Sequence, residues 1–374
     1  MSHLRKIANG KYEARYRDTS GRELSRRFPT KRAAQQFLER VGTDQQRGEW
    51  RDPAGGRRLL RDWIEEWWET TVNLRPSSRA RDGSYIRNHV LPAFGHLPLA
   101  RISQLAVRAW VAELDHRGLA PATVHKAYQS LSKILQAAVD AGLIARSPCE
   151  NVPLPRIERE EMRFLSPDEI TTLACKIDAR YRAMVVLDAY TGLRVGELVG
   201  LRRRRLDLLR RTLQVAETAV EVHGELLFGA PKTRAGHRTV PFPSFVGQAL
   251  DEHLSQFVSP GANAHVFTAP EGGPLRPAAW RARCWQPAVR ASGLGHVRPH
   301  DLRHTAVSLW IAAGASPKQI AAWAGHTSVS VVLDRYGHLY PGHEADVLTR
   351  LDALGNTSST SPEGSVVPLH SRAP

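Results

Sequence analysis

The 374-residue chain has little cysteine. Cys149, Cys175 and Cys284 are scattered and odd in number. That excludes a disulfide framework and paired-thiol metal sites, and fits three ordinary thiols in a reducing cytosol. No run of about 20 apolar residues occurs, so no membrane-spanning helix is expected. Met1 to Lys6 lacks the apolar core of a signal peptide, and a cytoplasmic location, in a bacterial cell or nucleoid, is the expectation. No clustered trio of carboxylates stands out, which weighs against metal-dependent transposase chemistry. Acidic side chains are themselves in deficit, with 37 Asp and Glu against 52 Lys and Arg, a net charge of +15 and a pI near 10.3. Such a chain draws polyanions, of which nucleic acid is the commonest. Charge alone does not separate a DNA enzyme from an RNA-binding protein. Hydrophobic content of 42% and charged content of 24% fit a globular protein with room for two or three cores.

Punctuation along the chain divides it into four. Residues 1–50 carry twelve Lys and Arg against six Asp and Glu. Turn signals at Asn9-Gly10 and Asp18-Thr19-Ser20-Gly21 bracket an alternating stretch, Lys11 to Arg17, with Tyr12, Ala14 and Tyr16 on one face. A strand from Arg22 to Phe28 follows, then a helix from Lys31 to Val41 capped by Thr30. Asp52 to Gly56 reads as a linker. Residues 57–148 read as all-helical, with Leu60, Trp63, Ile64, Trp67 and Trp68 at helical spacing and further helices at Ser77–Val90, Ser103–Arg117 and Pro121–Ala141. The tryptophans read as core. Cys149 to Glu161, rich in proline and charge, reads as a second linker. Ser166-Pro167-Asp168-Glu169 opens a third domain, 162–354, with a capping box. Residues 355–374 read as a disordered tail. The fold class expected is multidomain and mainly α: a small β-sheet-plus-helix domain, an all-α domain, and a mostly helical α+β domain with a small antiparallel sheet.

The chemistry-bearing residues fall in the third domain. A helix from Arg182 stops at Thr191-Gly192, and Arg194 follows, with Glu197 three residues on to hold it. Strands are expected at Thr212–Thr218, Glu225–Gly229 and His237–Pro241, with Lys232 in the second turn. A helix from His300 places His300, Arg303 and His304 on one face, opposite Leu302, Ala306, Leu309 and Ala313. His300 and His304 have the i, i+4 spacing of metal ligands. No Glu lies between them, however, and Arg303 repels a cation, so the face reads better as an anion site. Gly325 ends a helix begun at Ser316-Pro317, leaving His326 just beyond it. Thr327 to Asp334 is helix-like, and Tyr336 follows Arg335. Alone, Arg194 and Glu197 would be a surface ion pair, Lys232 an exposed turn residue and Tyr336 a packing aromatic. Two arginines can clamp one phosphodiester, and a phenol can attack its phosphorus.

In order and spacing these pieces resemble the tyrosine recombinase, or phage integrase, family. Thr191 to Leu198 matches the Thr-Gly-Leu-Arg-x-x-Glu-Leu context, His300 and Arg303 the His-x-x-Arg motif, Gly325-His326 the Gly-His pair, and Lys232 the hairpin lysine. Tyr336 lies ten residues beyond His326, where many relatives have nine; members with an Arg-Tyr-Gly-His string share the longer spacing. Tyr340, followed by Pro341, is the rival. The resemblance implies an arm-site-binding domain, a helical core-site-binding domain and a catalytic domain. It implies that Tyr336 forms a 3′-phosphotyrosyl bond, expelling a 5′-hydroxyl. Arg194 and Arg303 would bind the nonbridging oxygens. Lys232 would be general acid, His300 would assist as base or donor, His326 would bond the phosphate, and Glu197 would support Arg194. No cofactor and no metal are implied. The implied partners are double-stranded DNA at core and arm attachment sites and three further copies of the chain, with a DNA-bending host factor and an excision factor as candidates. An apolar stripe, Val347, Leu348, Leu351 and Leu354, would pack on its own domain or on a neighbour. The alternatives are a type IB topoisomerase-like nicking-resealing enzyme and a noncatalytic DNA-binding relative.

Overall fold

The computed structural model describes residues 3–7, 10–17, 21, 23–46, 55–158, 161–340 and 344–357. The chain forms two units, Met1–Glu160 and Glu161–Pro374. The first begins with an antiparallel sheet, β1 (His3–Lys6), β2 (Tyr12–Arg17) and β3 (Glu23–Phe28), in that order, followed by helix α1 (Lys31–Gln46). Alternation in β2 buries Ala14 and Tyr16, and Tyr16 meets Phe37 of α1 edge-on at 5.4 Å. Strand β1 has no counterpart in the sequence reading, because four residues are too few to show a period. Helix α1 runs five residues past the expected end at Val41. Gly42 does not stop it, and Gln45 Nε2 donates to Arg17 O at 2.6 Å, tying the extra turn to the sheet. The expected turns at Asn9 and Asp18–Ser20, and most of the first linker, lie outside the described residues.

The helical part comprises α2 (Leu60–Thr70), α3 (Pro76–Tyr85), α4 (Leu91–Phe94), α5 (Gln104–His116) and α6 (Pro121–Asp140). Leu60, Ile64, Trp110, Leu131, Ile134 and Leu135 form its core, with Trp63, Trp67 and Trp68 packed around it. Trp63 Nε1 donates to Ile134 O at 3.0 Å, so this indole is a strut between α2 and α6. Both expected linkers are partly structured. Gly55 and Gly56 open a 3-10 turn, with Gly56 buried. Cys149 and Val152 are buried, Tyr128 donates to the carbonyl of Cys149, and His125 bonds Pro155 O at 2.9 Å. Prolines marked these stretches as irregular, but irregular backbone can still pack.

The second unit contains α7 (Pro167–Lys176), α8 (Ala179–Thr191), α9 (Val195–Val199), β4 (Leu206–Asp207), β5 (Thr212–Val215), β6 (Thr218–Val222), β7 (Glu225–Gly229), β8 (Arg238–Pro241), α10 (Ser244–Phe257), α11 (Pro277–Trp280), α12 (Gln286–Ser292), α13 (Pro299–Ala312), α14 (Pro317–Ala324), α15 (Ser330–Tyr336) and α16 (Glu344–Thr357). Helix α8 is its axis. Tyr181, Met184, Val185, Leu187 and Ala189 are buried, and α7, α10 and α13 pack around it. The expected strand Thr212–Thr218 is broken at Ala216-Glu217. Its first part joins the sheet β4–β5–β8, and its second part pairs with β7 in a separate hairpin. Residues 230–237 therefore cross between sheets and do not close a hairpin. Wide π-type turns at Ile86–Val90 and Arg281–Trp285 each end two residues before a proline, Pro92 and Pro287. A proline has no N–H to close on the preceding turn, and a wider turn absorbs the misfit.

Two glycines decide how helices end beside α13. Gly192 (φ +59°) closes α8, and Gly325 (φ +67°) closes α14, both in the left-handed region. A Cβ on Gly325 would lie 2.9 Å from Ala235 O and 3.0 Å from Arg238 Nη1. Gly325→Ala should therefore cost more than the about 1–2 kcal/mol of left-handed backbone strain alone. Denaturant unfolding checks this; a loss within error of zero would show that the cap is not confined.

Along α16, Val347, Leu348, Leu351 and Leu354 are all more than half exposed. The expected tail is helical through Thr357, and residues 358–374 lie outside the described set. Among the described residues no helix is long and apolar enough to cross a membrane.

Candidate active site

Seven consecutive residues of α13, 301–307, are buried. The face carrying Arg303 and His304 is thus as enclosed as the apolar one, whereas Ala313, expected on the apolar face, is exposed. Arg303 is 3% exposed. Its guanidinium donates to Gly192 O and to Ala324 O, both at 2.5 Å, and to His326 Nε2 at 3.1 Å. Those two carbonyls belong to the C-terminal ends of α8 and α14. Unpaired carbonyls at helix C-termini carry partial negative charge, so two helix ends face one cation. Burial pulls Arg303 down to about 10, with the nearby Arg194 charge adding to the effect. It still carries its charge at neutral pH.

Arg194 stands at the start of α9, with its side chain 44% exposed. Its Nη1 donates to Glu197 Oε1 at 2.8 Å and its backbone N–H to Oε2 at 2.9 Å. Helix α13 begins the same way: Arg298 N–H donates to Asp301 Oδ2 at 2.7 Å. An acid at the third position of each helix caps it and fixes the preceding arginine.

Glu197 is 4% exposed. It also accepts from Arg238 Nη1 at 3.0 Å and Nη2 at 2.8 Å. Burial pushes its pKa up, but the Arg238 hydrogen bonds and charge, together with Arg194, outweigh burial and leave it below the usual range. Another buried acid, Asp188, is raised well above its ordinary value by burial, against the opposing pull of Arg303. The guanidinium groups of Arg194, Arg238 and Arg303 lie around Glu197, whose single negative charge leaves a positive surplus. Sequence reasoning missed Arg238 and Asp188. The strand at His237–Pro241 was read, but nothing in its alternation reveals that Arg238 turns under Glu197. Its Nε donates to Trp323 O at 2.6 Å, and its side chain is 5% exposed.

His326 lies just past α14, and burial, then the arginine charges, lower it to about 4. It is neutral, and its Nε2 accepts from Arg303, so the proton sits on Nδ1, which has no partner among the described residues. His300 is solvent-exposed on the outer side of α13, yet the protein packed around the ring, then His304, Arg303 and Arg194, lower it to about 4. Tyr336 ends α15, two residues beyond the expected end of that helix, and is 1% exposed. Its ring packs with Val307, Ile311, Ile320, Ala321 and Val332. Its hydroxyl bonds His304 Nδ1 at 2.6 Å. Burial raises its pKa, opposed by Arg303 and Arg335. The structure thus gathers Arg194, Glu197, His300, Arg303, His326 and Tyr336, and adds Arg238, Asp188 and His304. It does not bring Lys232 to them: that side chain is exposed in the crossover after β7 and shares no hydrogen bond or ion pair with the others. Among the described residues no group of three His, Cys, Asp or Glu could hold a metal ion.

The Phage integrase family profile matches residues 163–343, and that of the phage integrase N-terminal SAM-like domain matches residues 59–114. The chain belongs to the phage integrase family. The putative prophage phiRv2 integrase of Mycobacterium tuberculosis is 28% identical over 364 residues, 95% of this chain and 96% of that protein. The integrase of Mycobacterium phage D29 is 26% identical over 78% of each chain. Among solved structures, the Tn1549 transposon integrase in complex with transposon right end DNA aligns with a TM-score of 0.67 at 20% identity, covering 80% of this chain and all of that one. A lambda integrase dimer bound to a core site aligns at 0.59 and 18% identity, covering 89% and 93%. The integrase fold is thereby shared, and the expected class, mainly helical with small antiparallel sheets, is borne out.

The charge on Glu197 sets a pH dependence. An unfolded Glu titrates near about 4.3. The folded value is lower, so the stability it contributes is in place above that range and is lost as pH falls through the folded value. Glu197→Gln should therefore lose about 1–3 kcal/mol at neutral pH, since it leaves two arginines short of an acceptor. That deficit should shrink below about pH 4. Urea unfolding of both proteins across pH checks it; a deficit that stays constant with pH would remove the charge from the explanation.

Proposed function

We infer that this integrase cuts and rejoins DNA at specific sites through Tyr336. The chain is a tyrosine site-specific recombinase, and its relatives belong to phages and mobile elements. The carrying observation is the surplus positive charge around Glu197. Arg303 is fixed by two helix ends and Arg194 by the carboxylate, and neither must reorganise to receive a phosphodiester. Preorganised donors of this kind stabilise the charge that grows on the nonbridging oxygens during attack. His326 is neutral, and its unpartnered Nδ1–H can donate to a phosphate oxygen. Tyr336 attacks phosphorus, the 5′-oxygen leaves, and a 5′-hydroxyl of a partner strand reverses the step. The phosphotyrosyl bond keeps the energy of the cut strand, so two easier displacements replace one hard one.

A residue 1% exposed gives a phosphorus no path. Attack therefore requires that α15 move and uncover the hydroxyl when DNA is bound, a gating step on a short helix. Lys232, on its exposed crossover, serves as the acid for the leaving oxygen if DNA draws that segment over the scissile bond. The substrate is double-stranded DNA with core and arm sites, exchanged within a tetramer in the cytoplasm, with a DNA-bending host factor and an excision factor as further partners. Solved relatives include a lambda integrase tetramer bound to a Holliday junction, which supports the tetramer.

The test is covalent trapping on nicked duplexes drawn from the DNA that flanks the gene. A protein–DNA adduct should form in EDTA, vanish in Tyr336→Phe and survive in Tyr340→Phe. Arg303→Ala should slow adduct formation by ~10²–10³. Binding should weaken linearly on a log–log plot against salt. An adduct that needs a divalent metal, or that only Tyr340→Phe abolishes, overturns the assignment.

A further inference from the structure

The Tyr336 hydroxyl makes its hydrogen bond to His304, not to His300 or His326. His304 follows Arg303 directly on α13 and is 7% exposed. Its ring stands edge-on to His300, with centroids 4.8 Å apart, and tilted to Tyr336 at 5.9 Å. The charged and titratable groups facing it are Arg298, His300, Asp301 and Arg303 at the start of α13, and Arg335 and Tyr336 on α15. Burial dominates among these influences and lowers the His304 pKa, while Asp301 alone pulls upward. The ring is therefore neutral at physiological pH. The phenol, raised by burial, keeps its proton. It has no other acceptor among the described residues, so its O–H donates to Nδ1 and the ring's own proton is assigned to Nε2.

We propose that His304 is the base that takes the phenolic proton when Tyr336 attacks. The proposal rests on Tyr336 being the nucleophile. In the step, the phenolic O–H bond breaks and its proton passes to Nδ1, giving an imidazolium. The phenolic oxygen bonds to phosphorus. The bond from phosphorus to the 5′-oxygen breaks, and that oxygen leaves with the electron pair and takes a proton from the Lys232 ammonium. On rejoining, both protons return.

The mismatch between a weakened base and a weakened acid keeps the proton on the phenol at rest. As the aryl oxygen shares its electrons with phosphorus its basicity collapses, and the ring becomes the stronger base. His304 follows Arg303 on one buried helix, so the ring that receives the proton and the guanidinium that holds the phosphate are carried by one rigid element. His300 is set apart by its exposure and by having no bond to the phenol.

Two measurements test this. The first is ¹⁵N NMR of histidine-labelled protein without DNA. His304 should show a bare, hydrogen-bonded Nδ1 and a protonated Nε2, and the Nδ1 hydrogen-bond shift should disappear in Tyr336→Phe. A protonated Nδ1 overturns the proposal. The second is the single-turnover rate of adduct formation on the nicked duplexes across pH. His304→Asn keeps an acceptor atom near the place of Nδ1 but cannot take a proton. It should slow the step by ~10²–10⁴. It should also remove the part of the acid limb that His304 sets, which lies below the usual histidine range. DNA affinity and unfolding temperature serve as controls. If His304→Asn keeps the wild-type rate and pH profile, His304 merely positions the phenol and the proposal fails. Should the wild-type protein form no adduct on any duplex, the recombinase reading of Tyr336 fails, and the tautomer measurement alone decides the state of His304.

Discussion

A buried guanidinium must find acceptors, and Arg303 finds them at the ends of two helices. Gly192 O and Ala324 O both sit at left-handed caps, where a chain can stop abruptly and leave its last carbonyls pointing outward. This one requirement aligns α8, α13 and α14. It also explains why α13 is buried continuously from Asp301 to Val307 although one of its faces is polar. An unpaired buried cation would be prohibitively costly; here the dipoles of two helices offset that cost while leaving the net charge uncancelled. Burial holds the nearby carboxyl of Asp188 well above its ordinary pKa, against the pull of Arg303.

Glu197 is the counterweight. It takes hydrogen bonds from two arginines on opposite sides, one exposed toward any ligand and one sealed beneath it. Arg238 in turn anchors to Trp323 O near the end of α14. The strand β8 is thereby linked to the same helix that supplies Ala324 O to Arg303. The site is a ring of mutually restrained groups in which each charged side chain limits the freedom of the next. Such a ring holds its geometry before any phosphate arrives, which is the condition for electrostatic catalysis.

The nucleophile belongs to a different physical regime. Tyr336 is positioned by apolar packing in a small separate cluster and touches the polar ring only through His304. Helix α15 is seven residues long, and its Ser330, Leu333, Asp334 and Arg335 are exposed. A short helix with one buried edge opens at lower cost than the core helices do. Rigidity thus resides in the phosphate cradle, and mobility in the element that carries the attacking oxygen. That division suits a reaction that should begin only after DNA is in place.

The sequence by itself determined most of the element order and the fold class. Helix caps such as Ser166 with Glu169 and Ser316 with Gln319, glycine stops at Gly192 and Gly325, and the spacing of Arg194, His300, Arg303, His326 and Tyr336 are local signals, each readable within a few residues. The charge excess that marks a polyanion partner is likewise a property of composition. Tertiary structure alone decided the rest, because it depends on residues far apart in sequence. Nothing near Arg238 announces that it will underlie Glu197, 41 residues earlier. The break at Ala216-Glu217, which splits one apparent strand between two sheets, follows from pairing partners and not from alternation. His304 lay on the polar face read from its helix, but a helical period cannot say which of two histidines a tyrosine 32 residues away will meet. The pKa shifts of Asp188, His304 and His326 likewise arise chiefly from burial, a quantity that a linear pattern does not contain.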